Sequence, residues 1–364
     1  MSMLRSPLHD RHVALGARMA EFAGWEMPLE YAGGGVLKEH TTVRESVGVF
    51  DVSHLGKLSV RGTGSAAFVN RCLSNDMSRI GPGRAQYTLC CDAQSGGVVD
   101  DLIAYLRGDD EVFLVPNAAN TAEVARRLTA AAPTGVEVLT QHRDFAVLAV
   151  QGSRSDDVLS SVGLPTGHDY MAFADAEFAG EPVVVCRTGY TGERGYELVI
   201  ANRAAPALWD AVMEGGQAHS IRACGLAARD TLRTEMGYPL HGQDISLDVT
   251  PVQARLGWAV GWKKDSFWGR EALLAEKAAG PARLLRGLVS SGRGIPRPHM
   301  DVVDADGTAL GEITSGTFSP TRRTGVGLAL LNPDVDDAAE VFVDVRGRRQ
   351  AFVVTKPPFV TPST

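Results

Sequence analysis

A chain of 364 residues, 44% hydrophobic and 22% charged, has the composition of a globular protein long enough for two or three domains. A net charge of -7, with basic runs no longer than TRR (321–323) and GRR (347–349) near turns, argues against a nucleic-acid partner. The N-terminal stretch has no leader-like apolar core and no window of about 18 apolar residues occurs, so a cytoplasmic protein without a membrane span is expected.

In chain order, a helix is predicted over 11–22, a second over 36–47, a strand over 50–62 and a helix over 65–73. The pattern then becomes a meander of QYTLCC (86–91), VVDDLIAYL (98–106) and EVFLVPN (111–117), joined by the turn-forming SGG and RGDD. Asn120 followed by Glu123 reads as an N-cap with its capping partner for a helix over 121–132. FAVLAVQG (145–152) is the next strand, then a helix near 154–161, strand pairs over 177–200, and helices near 204–214 and 225–237. An irregular passage rich in Pro and Gly (238–283) separates these from an all-β tail. Its short alternating strands, with DADG and RGRR turns, predict a small antiparallel barrel or sandwich. The five cysteines form no C-x-x-C or Cys/His pair with zinc spacing, so neither a disulfide framework nor a metal is expected.

Within the meander, Asp100 and Asp101 stand side by side. Strand alternation puts Asp100 on one face with Val98, Leu102 and Ala104, and Asp101 on the other with Val99, Ile103 and Tyr105. Both faces are otherwise apolar, and a buried carboxylate without donors costs several kcal/mol, so each acid needs partners. The expectation is that one lines a site while the other is tied into structure. Hairpin arithmetic brings Asn117 back beside them, with Tyr87 on the neighbouring strand. The bland alternative is that both acids cap hairpin turns.

RTGYTGERGYEL (187–198) is neither a G-x-G-x-x-G nor a P-loop pattern, and a glycine turn in a hairpin is its plain reading. Glu197 on the outgoing strand either accepts paired N–H bonds from a heterocycle or faces water. On the helix of GLAARDTLRTEMG, Leu226, Arg229, Arg233 and Met236 share a stripe, so the arginines want anionic partners, in an internal salt bridge or as an anion clamp. No hydrolase motif is present.

FAGWEMPLEY (22–31), VFDVSHLGKLSVRG (49–62), SGGVVDDLI (95–103), TGYTGERGYEL (188–198), LAARDTLR (226–233) and TSGTFSPT (314–321) occur in that order. Together they resemble the aminomethyltransferase (T-protein) family of the glycine cleavage system, from about residue 7 to residue 360. The resemblance implies an α+β multidomain fold, a three-domain cloverleaf around a central folate channel. Its domains would be 1–50 with 140–245, 51–139 with 246–283, and an antiparallel β-barrel over 284–364. It also implies transfer of the methylene of an S-aminomethyldihydrolipoyl arm, carried by a lipoylated H-protein, to tetrahydrofolate as co-substrate, with release of ammonia and without a metal. Carried over residue by residue, Asp100 matches the catalytic aspartate and Asp101 would be structural. Glu197 matches the pterin-binding glutamate and Arg229 a folate-site arginine. Tyr87 and Asn117 stand beside the pterin and the acid, and Tyr190 forms a wall.

The chain departs from the family in three places. Leu55 replaces a common Met after DVSH, and His241 replaces a common Tyr before GQD. The end, PPFVTPST, lacks the aromatic residue that several members carry near the folate tail. Two other folate-binding jobs on this fold are demethylation of a small sulfonium or amine and assistance to iron–sulfur assembly. The K-G-C-[FY]-x-G-Q-E stretch of the assembly factors is absent.

Overall fold

The computed structural model describes residues 3–361, so the last residues of PPFVTPST, on which the folate-tail contact turns, lie outside the described part. The strands form four sheets, and the fold is a mixed α/β multidomain one. A small sheet sets Trp25–Tyr31 between Leu4–Arg5 and Ala17–Phe22. A six-stranded sheet runs in the order Phe173–Phe178, Glu181–Cys186, Gly195–Ala201, Phe145–Gln151, Gly48–Asp51, Arg222–Ala223. A five-stranded sheet follows the order Arg84–Cys91, Val98–Gly108, Glu111–Val115, Leu58–Arg61, Glu137–Thr140. From Leu284 to Thr355 six strands close into a barrel whose ladders are all antiparallel, as the tail predicted.

Period-two alternation decides what each sheet faces. Ala146, Leu148 and Val150 pack against Val158, Leu159, Leu208, Trp209 and Val212 of the helices Ser155–Ser161 and Ala205–Gly215. The intervening Val147 and Ala149 face the other way, into a cluster with Tyr105 and Phe113 of the five-stranded sheet and Ala228 and Leu232 of the helix Leu226–Met236. Leu102, Ala104 and Leu106 belong to a separate core under the helices Ser65–Cys72 and Thr121–Ala131. The open six-stranded sheet and the five-stranded sheet therefore face each other across a shared apolar layer, and the functional candidates gather at one end of it.

Several expectations are corrected. The helix over 11–22 is a short helix, His9–Ala14, followed by the strand Ala17–Phe22. Gly16, left-handed at φ 71°, ends the helix and starts the hairpin. The strand over 50–62 is two strands split by a loop at 52–57, because the buried ammonium of Lys57 turns back to the carbonyls of Ser53 and Leu55 at 2.7 and 2.8 Å. The passage 238–283 holds the helix Arg270–Ala279. Asn120 sits at the N-cap position but makes no capping bond, and Glu123 pairs with Arg126 and Arg127. The acid strand also changes phase. Cys90 pairs with Asp100 and Cys91 with Val98, so Val99 is the extra residue of a β-bulge. Val98 accordingly joins the cluster of Leu89 and Cys91 rather than the face of Leu102 and Ala104.

Candidate active site

The acids lie where the strand Val98–Gly108 leaves its bulge, and the hairpin brings Asn117 beside them as its length predicted. Asp100 is fully buried. Its Oδ1 accepts from Nδ2 of Asn117 and of Asn120 at 2.9 and 2.7 Å, and its Oδ2 accepts from the Asn117 backbone N–H at 3.0 Å. Asp101 is half-buried. Its Oδ1 accepts from Asn117 Nδ2 at 2.8 Å and its Oδ2 from the Tyr87 hydroxyl at 3.0 Å. One amide thus bridges two carboxylates.

The two acids point to opposite faces, as strand alternation predicts. Asp100 points with Leu102 and Ala104 into the core under the helices, whereas Asp101 points with Ile103 and Tyr105 toward the layer between the sheets. Burial and the adjacent Asp101 push Asp100 well above the usual carboxylate range, against the pull of the asparagine donors. Burial likewise raises Asp101, against the Tyr87 hydroxyl, His241 and Asn117. All three donors to Asp100 are N–H groups that cannot accept, whereas the Tyr87 hydroxyl on Asp101 can reverse its role.

The opposite wall comes from the six-stranded sheet and the helix Leu226–Met236. Gly225 starts this helix because a Cβ there would meet the Leu29 carbonyl at 2.2 Å, and left-handed Gly237 (φ 69°) ends it. Arg229 and Arg233, one turn apart, meet different fates. Arg233 is saturated by Asp230, Asp244, Ser315 and the Tyr238 carbonyl, the internal salt bridge foreseen for this stripe. Arg229 has no such partners: its Nη1 is buried without a hydrogen bond among the described residues. Its guanidinium stands 4.8 Å from the Tyr190 ring centre and feels the charge of Glu197. Burial lowers its pKa, which Glu197 and Tyr190 partly offset.

Glu197 is buried rather than facing water, with Oε2 accepting from the Thr188 hydroxyl at 2.5 Å. Tyr190 is anchored by its hydroxyl to the Pro239 carbonyl and lies within electrostatic reach of both Asp101 and Arg229. Half-buried Leu55 packs on the same cluster as Tyr105 and Ala228. A carboxylate and an unpaired guanidinium thus face an acid pair across aromatic walls, an arrangement suited to a flat, hydrogen-bonding heterocycle.

The structure brings Asp100, Asp101, Asn117 and Tyr87 together in one bonded group, with Tyr190 against the Arg229 guanidinium and Glu197 within its electrostatic reach beside it. Sequence reasoning missed Asn120 as an acid partner, Thr188, and Trp258, an exposed indole stacked on Tyr87 at 5.3 Å. The signal for Thr188 was its place two residues past Cys186, the strand partner of Glu197 in the hairpin of the glycine turn. Among the described residues, no cluster of His, Cys, Asp and Glu is placed to hold a metal, and no helix is long and apolar enough to cross a membrane.

Two family models match the chain: the GCVT N-terminal domain over residues 8–264, and the glycine cleavage T-protein C-terminal barrel domain over 283–361. The aminomethyltransferase of Parafrankia sp. is 65% identical over 359 residues, covering 99% of this chain and 98% of the relative. That of Mycobacterium tuberculosis is 59% identical over 364 residues, covering 100% and 98%. A crystal structure of the glycine cleavage system aminomethyltransferase T from Bartonella henselae superposes with a TM-score of 0.93 at 33% identity, covering 99% of both chains.

Proposed function

The chain belongs to the glycine cleavage T-protein family and is an aminomethyltransferase of that system; on this premise we propose how its residues carry the transfer to tetrahydrofolate. The donor is an S-aminomethyl group on the dihydrolipoyl arm of a partner H-protein. The carbon–sulfur and carbon–nitrogen bonds of that group break, and bonds form from its carbon to N5 and N10 of the folate. The two protons that leave N5 and N10 depart with the thiol and with ammonia. The products are 5,10-methylenetetrahydrofolate, the dihydrolipoyl thiol and ammonia, and no oxidant is consumed.

Glu197 accepts the N–H donors of the pterin with the oxygen that Thr188 does not use, and Arg229 donates to the ring from the same side. Tyr190, Tyr87 and Leu55 wall the ring. Asp101 takes the hydrogen bond, and then the proton, of the attacking nitrogen, and stabilises positive charge as the methylene moves. Burial keeps the proton affinity of Asp101 above the usual carboxylate range, and Asp100, held by Asn117 and Asn120, fixes the amide that bonds both acids.

The observation that carries this reading is the buried Arg229 Nη1, a charged donor without a partner beside Glu197. Leaving such a group unpaired costs stability unless a ligand completes it. Sheet membership supports the division into 1–50 with 140–245, 51–139 with 246–283, and 284–364. We place the protein in the cytoplasm, where its five free, buried thiols stay reduced.

The test is ammonia release from an aminomethylated, lipoylated H-protein with and without tetrahydrofolate. Folate-dependent release is expected, falling about a hundredfold or more in Asp101→Asn while folate affinity stays within a few-fold. No release from the wild-type protein despite folate binding would sink the transferase reading. Wild-type turnover in Asp101→Asn would sink the role of that acid.

A further inference from the structure

One side chain outside the substrate-contacting set ties the acid pair to the opposite wall. His241 lies in the loop 238–245 that follows the Arg229 helix. The loop is pinned by Tyr238 N–H to the Arg233 carbonyl, Leu240 N–H to Asp244 Oδ2, and the Pro239 carbonyl to Tyr190. Asp244 is itself clamped by Arg233, Thr314 and Ser315.

From this fixed base the imidazole reaches two partners. Nε2 stands 3.0 Å from the Val98 carbonyl, and Nδ1 stands 3.0 Å from Asn120 Nδ2. A carbonyl only accepts, so Nε2 carries the ring proton and Nδ1 of the neutral ring is an acceptor. Asn120 therefore spends one amide proton on Nδ1 and the other on Asp100 Oδ1, 2.7 Å away. Turned over, the amide would set its oxygen against a carboxylate.

We propose that His241 is a positioning residue for the transfer reaction, its Nδ1 orienting the Asn120 amide so that Asn120 donates to Asp100 and holds the acid pair in place. The inference rests on the assignment of Asp101 as the acid that meets the folate.

Two substitutions separate orientation from mere filling. His241→Phe cannot accept; His241→Asn offers an oxygen near the place of Nδ1. In folate-dependent ammonia release, His241→Phe should lower kcat about tenfold or more across the pH range, with KM for tetrahydrofolate within about twofold. His241→Asn should recover most of that loss. The inference is overturned if His241→Phe keeps its kcat or if His241→Asn is no better than His241→Phe. A second readout needs no turnover. The side-chain amide of Asn120, assigned in labelled protein through Asn120→Asp, should shift in His241→Phe and return toward its wild-type position in His241→Asn. A signal unmoved by His241→Phe overturns the inference even if the enzyme is active. A moving signal in a protein that releases no ammonia would instead keep the His241–Asn120 linkage and remove the catalytic assignment.

Discussion

Replacing Glu235 by Gln tests what holds the Arg229 helix against the rest of the molecule. Glu235 is fully buried near the end of that helix. Its Oε2 accepts from Arg44 Nε and Nη2 at 3.1 and 2.9 Å and from the Thr321 hydroxyl at 3.0 Å. His40 Nε2 lies 3.2 Å from the same oxygen. Its Oε1 accepts from the Ser319 hydroxyl at 2.5 Å and the Thr321 N–H at 3.2 Å. One carboxylate thereby joins the helix Gly35–Glu45, the Arg229 helix and the barrel. Burial alone would raise its pKa; His40, Ser319 and Arg44 outweigh that and hold it at about 2, against an ordinary 4.5.

At about 1.4 kcal/mol per pKa unit, that depression is worth about 3 kcal/mol. The folded value is the lower one, so the contribution is complete above the unfolded value and is lost as pH falls toward about 2. Glu235→Gln keeps the shape and removes the charge. Its cost should be about 3 kcal/mol near pH 7 and shrink by about 1 kcal/mol near pH 4, where the unfolded glutamate is already taking up its proton. A chain of several domains need not melt in one step, so the assay is amide hydrogen exchange of Leu226–Met236 at both pH values, corrected for intrinsic rates. A cost below about 0.5 kcal/mol, or one that does not change with pH, would refute the claim that the charge binds these elements.

Arg229→Met should weaken tetrahydrofolate binding about tenfold or more in calorimetry while leaving the thermal midpoint unchanged or raised, because it removes a buried donor that has no partner. Burial lowers the Lys57 pKa to about 7, so the folded protein sheds that proton before the unfolded chain does. Stability should then rise by about 1.4 kcal/mol per unit between about pH 7 and pH 9, and Lys57→Met should flatten that slope in denaturant titrations. Gly97→Ala sets a Cβ 1.8 Å from the Leu247 carbonyl, directly before the acid strand, and should cost about 1–3 kcal/mol in melting experiments. Gly81→Ala meets nothing within 4 Å and should stay within about 0.5 kcal/mol.

The meander, the helix order and the all-β tail were legible because turn chemistry and alternation are local. Asn117 could be placed by counting residues around a hairpin. The distinction between Asp100 and Asp101 was not legible, because a bulge is decided by the partner strand: nothing in VVDD says that Val99 is skipped in the pairing with Cys90 and Cys91. Arg229 and Arg233 share one stripe, and only the loop of Asp244, which returns to Arg233 alone, separates a saturated guanidinium from an open one. Asn120 looked like a cap because its residue type and spacing fit one; its amide is drawn away by an acid 20 residues earlier and a histidine 121 residues later. The helix over 11–22 failed at Gly16, where a left-handed residue turns the chain into a hairpin.

The position of Gly48–Asp51 in its sheet has a consequence for synthesis. Its two neighbours are Phe145–Gln151 and Arg222–Ala223. When the ribosome has made residue 51, the chain carries Val47, Val49 and Phe50, all destined for full burial, with no strand to receive them. At roughly 5–20 residues per second the antiparallel partner arrives about 5–20 s later, and the parallel one later still. The five-stranded sheet, spanning 58 to 140, can close during that wait. This order of completion leaves the early strand exposed in the nascent chain, where a holding chaperone would act.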